Sequence, residues 1–148
     1  MVFSTEKEMV ETIENSNFIK KVMRPGPSII EKEVDGFFGI PDIVIIKKTD
    51  KKHVSYAYEA KLSNWSRAVI QAFHYKAFVN RSYVILDDDK IGPAISHIDR
   101  FSAANVGLLS IENSGQMHIH YNPHNESPYS PQLAEKFNNK IANAVYNF

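Results

Sequence analysis

The 148-residue chain sets 17 Lys and Arg against 17 Asp and Glu, and 43% of it is hydrophobic, enough for one domain over residues 1–148 with one core. Zero cysteines exclude disulfides and thiolate metal sites, in keeping with a reducing, cytoplasmic setting. Balanced charge excludes nucleic-acid binding by bulk charge alone, and with no apolar run of about 18 residues no membrane span is expected.

The opening "MVFSTEKEMVETIENS" lacks a basic region followed by an apolar one, so no secretory leader is expected. "TEKE" is a capping box, with Thr5 at the N-cap and Glu8 three residues on, and Met9, Val10 and Ile13 give the helix its apolar face. "NSN" at 15–17 predicts its end, and "RPGP" at 24–27 is the clearest breaker. "SIIEKEVDGFF" and "IPDIVIIKK" predict two strands joined near Gly39, and "HVSYAYEAKL" a third after the turn "TDKK".

Asn64 predicts an N-cap for "WSRAVIQAFHYKAFVN", whose apolar residues recur at helical spacing. "RSYVILDD" has the continuous apolar pattern of a strand covered on both faces. "GPAISHIDRFSAAN" predicts one helix with Pro93 in its first turn, and "VGLLSIE" with "QMHIHYN" a hairpin about "NSG". A loop and a closing helix over "QLAEKFNNKIANAVYNF" complete the order α-β-β-β-α-β-α-β-β-α. That order indicates a mixed central β-sheet flanked by helices, an α/β fold.

Glu59 and Lys61 lie two apart in the third strand and therefore share a face. If the second and third strands pair as a hairpin, Asp42 near one strand's start opposes Glu59 near the other's end. Two carboxylates would then converge beside one lysine, a grouping that suits a hard cation such as Mg²⁺. "PD" at 41–42 and "EAK" at 59–61, with 16 residues between the acids, resemble the PD-(D/E)XK nuclease motif. Gln71 and Tyr75, four apart in the next helix, are similar to the Q-x-x-x-Y element of the exonuclease-like branch.

The resemblance implies a restriction-endonuclease-like fold and a Mg²⁺- or Mn²⁺-dependent nuclease, with DNA expected ahead of RNA as substrate. It implies Asp42, Glu59 and the backbone carbonyl of Ala60 as metal ligands, Lys61 as the catalytic lysine, and Gln71 and Tyr75 as supporting residues. A homodimer, one site per strand, is a further expectation of the same kind. The alternative is a nucleic-acid-binding or regulatory module that keeps this architecture without turnover.

Members of that family often add an acid from the first helix. Of Glu6, Glu8, Glu11 and Glu14, helical geometry favours Glu6, which shares the inward face with Met9, Val10 and Ile13. Glu6 reads equally well as a favourable anion at a helix N-terminus. Glu33 is a second candidate acid, against a solvated strand face shared with Glu31 and Asp35. Arg67, Gln71, His74 and Tyr75 form a polar stripe that either meets phosphates or faces solvent. Trp65 reads as core, and the basic turn "KKTDKK" as a solvated surface or a backbone contact. His118 and His120 have a spacing that zinc could use, but neither a cysteine nor a helix supplies further ligands. "LDDD" at 86–89 reads as an acidic strand end, with cation binding as the other reading.

Overall fold

The computed structural model describes residues 2–24, 26–50 and 52–144. Pro25 and Lys51, in two of the predicted turns, and residues 145–148 of the predicted closing helix lie outside the described residues.

Two helices precede the sheet, α1 (Glu6–Glu14) and α2 (Asn17–Met23). Thr5 caps α1 as its sequence predicts, accepting from the Glu8 N–H, while the Glu8 carboxylate accepts from Ser4 N. The second helix is a departure from the expected single one. Ser16 both ends α1, donating to the Ile13 carbonyl at 2.6 Å, and caps α2 by accepting from Ile19 N. "NSN" is thus a stop and a start.

The strands are β1 (Ser28–Lys32), β2 (Ile43–Thr49), β3 (Lys52–Lys61), β4 (Arg81–Asp87), β5 (Gly107–Ile111) and β6 (Met117–Tyr121). They form one six-stranded sheet in sequential order, β1 through β6. β1–β2, β2–β3 and β5–β6 are antiparallel, whereas β3–β4 and β4–β5 are parallel. Each parallel pair needs a crossover, supplied by α3 (Trp65–Tyr75) in the first case and by α4 (Gly92–Ser96) and α5 (Ile98–Ala104) in the second. α6 (Pro131–Ala144) closes the described chain.

β1 is shorter than "SIIEKEVDGFF" suggests. It stops at Glu33, which sits at φ 54°, and the chain then folds into a small bridge between Gly36 and Gly39. Gly36 has to be small, because a Cβ there would stand 2.4 Å from the Phe78 ring. The single helix expected over residues 92–105 breaks at His97, whose Nδ1 lies 2.9 Å from the Pro93 carbonyl and whose ring stacks on Trp65. The "NSG" hairpin forms as expected, with Gly115 at φ 93° in its turn.

Side chains alternate across the sheet and divide the core into two layers. Ile43, Ile45, Tyr58, Ala60, Ile85 and Leu109 pack against Met9, Ile13 and Ile19 of α1 and α2. On the opposite face Val44, Ile46 and Ala57 meet Tyr75, Phe78 and Phe137, while Val84, Leu86 and Leu108 meet Ala68, Ala72 and Phe101. α3, α5 and α6 therefore cover the face to which Glu59 and Lys61 belong by alternation. No helix among the described residues is long and apolar enough to cross a membrane.

Candidate active site

The β2–β3 register pairs Ile43 with Tyr58, so one step further places Asp42 across from Glu59. Asp42 itself lies just before β2, and it is tied into the ladder by its N–H donating to the Tyr58 carbonyl at 3.1 Å. Its carboxylate takes over where the strand ends: Oδ2 accepts from the Ala60 N–H at 2.7 Å. In an antiparallel pair a residue's N–H and C=O point toward the same neighbour. The Ala60 carbonyl therefore faces the gap beside Asp42.

Glu59 is almost wholly buried, with 4% of its surface exposed. The Tyr75 hydroxyl donates to its Oε1 at 2.6 Å and stands 3.2 Å from the Ile40 carbonyl. One tyrosine thus ties the last turn of α3, the end of β3 and the chain entering β2. The Lys61 ammonium is 3.8 Å from Glu59 Oε2 and 4.0 Å from Glu6 Oε1. Glu6 reaches it from α1, across the end of the sheet.

Burial dominates the electrostatics. It pushes the Glu59 carboxyl up to about 7, an effect reinforced by the Asp42 charge and partly opposed by the Tyr75 hydrogen bond and by Lys61. Asp42 is raised too, chiefly by burial, against the lowering effect of the Ala60 N–H and Lys61. Glu6 and Glu33 add repulsion to Asp42. The Tyr75 phenol is held well above its usual range by burial and by the carboxylate it serves, so it stays a donor.

Of the sequence-derived residues, Asp42, Glu59, Lys61, Ala60, Tyr75 and Glu6 converge. Glu33 touches Asp42 through the backbone, donating its N–H to the Asp42 carbonyl at 3.1 Å, while its side chain is exposed. Glu14 turns away and pairs with Lys32 at 3.2 Å. Gln71 makes no hydrogen bond to either acid, and its Oε1 is buried without a partner among the described residues. The stripe on α3 divides, with Arg67 and His74 exposed and Tyr75 buried. Trp65 packs against Phe101 as core. The Ile40 carbonyl is the participant that sequence reasoning missed, since a backbone atom leaves no residue-type signal.

Two acids facing each other at strand ends, with a carbonyl directed at the same gap, form an all-oxygen donor set of the kind hard divalent cations take. Raised carboxyl affinities fit that use, because like charges crowded in a buried site wait for a proton or a cation. A broad open groove of about 1160 Å³ runs between α1, α2 and the β5–β6 turn, lined by Glu11, Phe18, Lys21 and Gln116 among others. It includes none of the converging residues. The chain matches no protein-family model and no curated protein.

Proposed function

We propose that the chain is a divalent-metal-dependent nuclease that hydrolyses phosphodiester bonds, in DNA ahead of RNA, on a restriction-endonuclease-like arrangement of its sheet. One observation carries this reading: Asp42 and Glu59 oppose each other at the ends of paired strands, with Lys61 Nζ 3.8 Å from Glu59. Asp42, Glu59 and the Ala60 carbonyl would hold Mg²⁺ or Mn²⁺, which when bound supplies Lewis acidity toward a phosphoryl oxygen.

The remaining roles follow from the side chains. The Lys61 ammonium offers three donors at the rim of the site, able to orient an attacking water and to offset charge gathering on the phosphoryl oxygens. Tyr75 holds Glu59 in one rotamer, and the Ala60 N–H holds Asp42. Glu6, at 4.0 Å from Lys61, shares the ammonium with Glu59 and holds it between α1 and the end of β3. Gln71, the other supporting residue of the resemblance, lies one turn before Tyr75 on α3, with its buried Oε1 unpartnered among the described residues.

The test is cleavage of a panel of labelled single-stranded, duplex and branched DNA and RNA with Mg²⁺ or Mn²⁺. Cleavage should stop with EDTA and fall at least 100-fold in Lys61→Ala. A Lys61→Ala protein that cuts as fast as the parent would overturn the mechanism. Balanced net charge favours a second reading, a non-catalytic or regulatory module. Cation binding that depends on Asp42 and Glu59, with no cleavage of any substrate in the panel, would establish that reading instead.

A further inference from the structure

Away from Asp42 and Glu59, the far half of the sheet gathers a second set of donor groups. Asp88 begins the single 3-10 turn after β4, Glu112 follows β5, and His118 lies on β6. The Asp88 and Glu112 carboxylates and the His118 imidazole bring one donor atom each to within 4.8 Å of one another. We propose that these three side chains form a metal site for a borderline divalent transition ion of the Zn²⁺ class, distinct from the Asp42–Glu59 centre.

The local folding explains the convergence. The hairpin pairs Ser110 with His118, so both project to the same face, and alternation turns Glu112 there too. The register shifts between Leu108 and Leu109, opposite Tyr121 and Ile119, which leaves His120 as the extra residue of a β-bulge. A bulge re-aims side chains, and here His120 Nε2 comes to 2.8 Å from the Ser110 hydroxyl.

That hydroxyl supports a ligand rather than serving as one. Ser110 is fully buried and donates to Asp88 Oδ1 at 2.6 Å. Having one proton to give, it must accept from His120, which fixes Nε2 of that ring as the protonated nitrogen. The chain His120 to Ser110 to Asp88 orients the carboxylate through one oxygen and leaves its other oxygen for a ligand role. Buried partners of this kind are what ligating groups normally require. An exposed acidic cluster has neither that support nor an imidazole.

His118 Nε2 and Glu112 Oε2 are 2.6 Å apart, and each side chain is roughly two-fifths exposed, at 38% and 40%. Donors around a tetrahedral Zn²⁺ with bonds of about 2.0–2.1 Å lie about 3.3 Å apart. The 2.6 Å pair must open by about 0.7 Å, and Asp88, within 4.8 Å of both, must close by up to about 1.5 Å. Two half-exposed side chains at a strand end can do so by small torsional changes. One imidazole with two carboxylates and no thiolate selects Zn²⁺, Co²⁺ or Ni²⁺ over Mg²⁺ and Ca²⁺, which prefer oxygen alone. The bound ion would clasp the end of β4 to the β5–β6 hairpin.

The experiment is a Zn²⁺ titration of untagged protein against a chromophoric chelator, in a D42N/E59Q background that removes the first pair of acids. One Zn²⁺ per chain at micromolar affinity is expected there, not displaced by a large excess of Mg²⁺. D88N and H118A, added singly to that background, should each weaken binding at least tenfold. S110A should weaken it less, by acting through Asp88. As a readout independent of affinity, Co²⁺ should give a visible absorption spectrum that changes in H118A. Absence of Zn²⁺ binding in the D42N/E59Q protein, or binding indifferent to D88N and H118A, would overturn the proposal. It stands or falls apart from nuclease activity, because none of these readouts involves cleavage.

Discussion

At the scale of single residues, Glu59 has the most exposed consequences. Its carboxyl is held at about 7 in the folded chain against an ordinary 4.5, so between those values the folded protein keeps a proton that the unfolded chain has released. Metal-free protein is therefore most stable below that window, and stability falls as pH rises through it. The loss from this one group approaches about 3 kcal/mol. Urea unfolding in EDTA from pH 5 to 8 should show the decline, and Glu59→Gln should flatten it. An unchanged slope in Glu59→Gln would remove Glu59 as its source. Tyr75→Phe deletes the hydrogen bond that favours the charged carboxylate, so cation affinity at Asp42 and Glu59 should require a higher pH than in the parent. A pH series of Mn²⁺ titrations measures that displacement.

At the scale of elements, the sequence marks β3, β4 and α3 clearly. Their signals are local: the apolar run "YVIL", the Asn64 cap and the alternation around Glu59. The pairing of Asp42 with Glu59 was legible as well, because two strands joined by a tight turn leave few registers to choose from. The approach of Glu6 to Lys61 was legible only as a direction, since a helix face says which side turns inward and not what it meets. Less legible were events that depend on partners distant in sequence. α2 hides behind Ser16, which serves two helices at once, and the break at His97 depends on its stacking with Trp65. The Asp88–Glu112–His118 grouping needed the β4–β5 neighbour relation, and the His120 contact behind it a bulge, neither of which leaves a mark in composition. Gly36→Ala tests the loop that leads to Asp42: its new methyl would meet the Phe78 ring, buried in the core, at 2.4 Å. Overpacking of this sort should cost about 1–3 kcal/mol by urea denaturation, and a loss under about 0.5 kcal/mol would show that the ring moves aside freely.

For the whole molecule, the buried charged groups are partnered to different degrees. Lys76 is 2% exposed, yet its ammonium donates to the Ala104 carbonyl at 2.9 Å, pairs with Glu126, and lies 5.1 Å from the Tyr129 ring centroid. It fastens α3, α5 and the loop before α6 together. Lysine beside it holds the Glu126 carboxyl below its ordinary range, helped by Asn105. Glu126→Ala leaves a buried cation unpaired and should destabilise by about 3 kcal/mol in urea unfolding, whereas Glu126→Gln, which keeps an acceptor, should cost less. The acids at Asp42 and Glu59 lack a partner of comparable strength, and the proposed site predicts that a cation supplies one. Saturating Mg²⁺ at about 100 times its Kd should raise folding stability by about 2.7 kcal/mol in the parent and leave D42N/E59Q unmoved. A thermal shift of equal size in both proteins would place the cation elsewhere.

The stacking of Trp65 on His97 has a practical consequence. The chain contains one tryptophan, at the first residue of α3 and four positions after Lys61. Its indole lies 4.8 Å from the His97 ring and 5.4 Å from the Arg100 guanidinium. Tryptophan emission therefore reports from a single address, where the helix that carries Tyr75 meets the crossover between β4 and β5. Without any label, the protein carries its own optical gauge of whether occupancy at the acids is felt through α3.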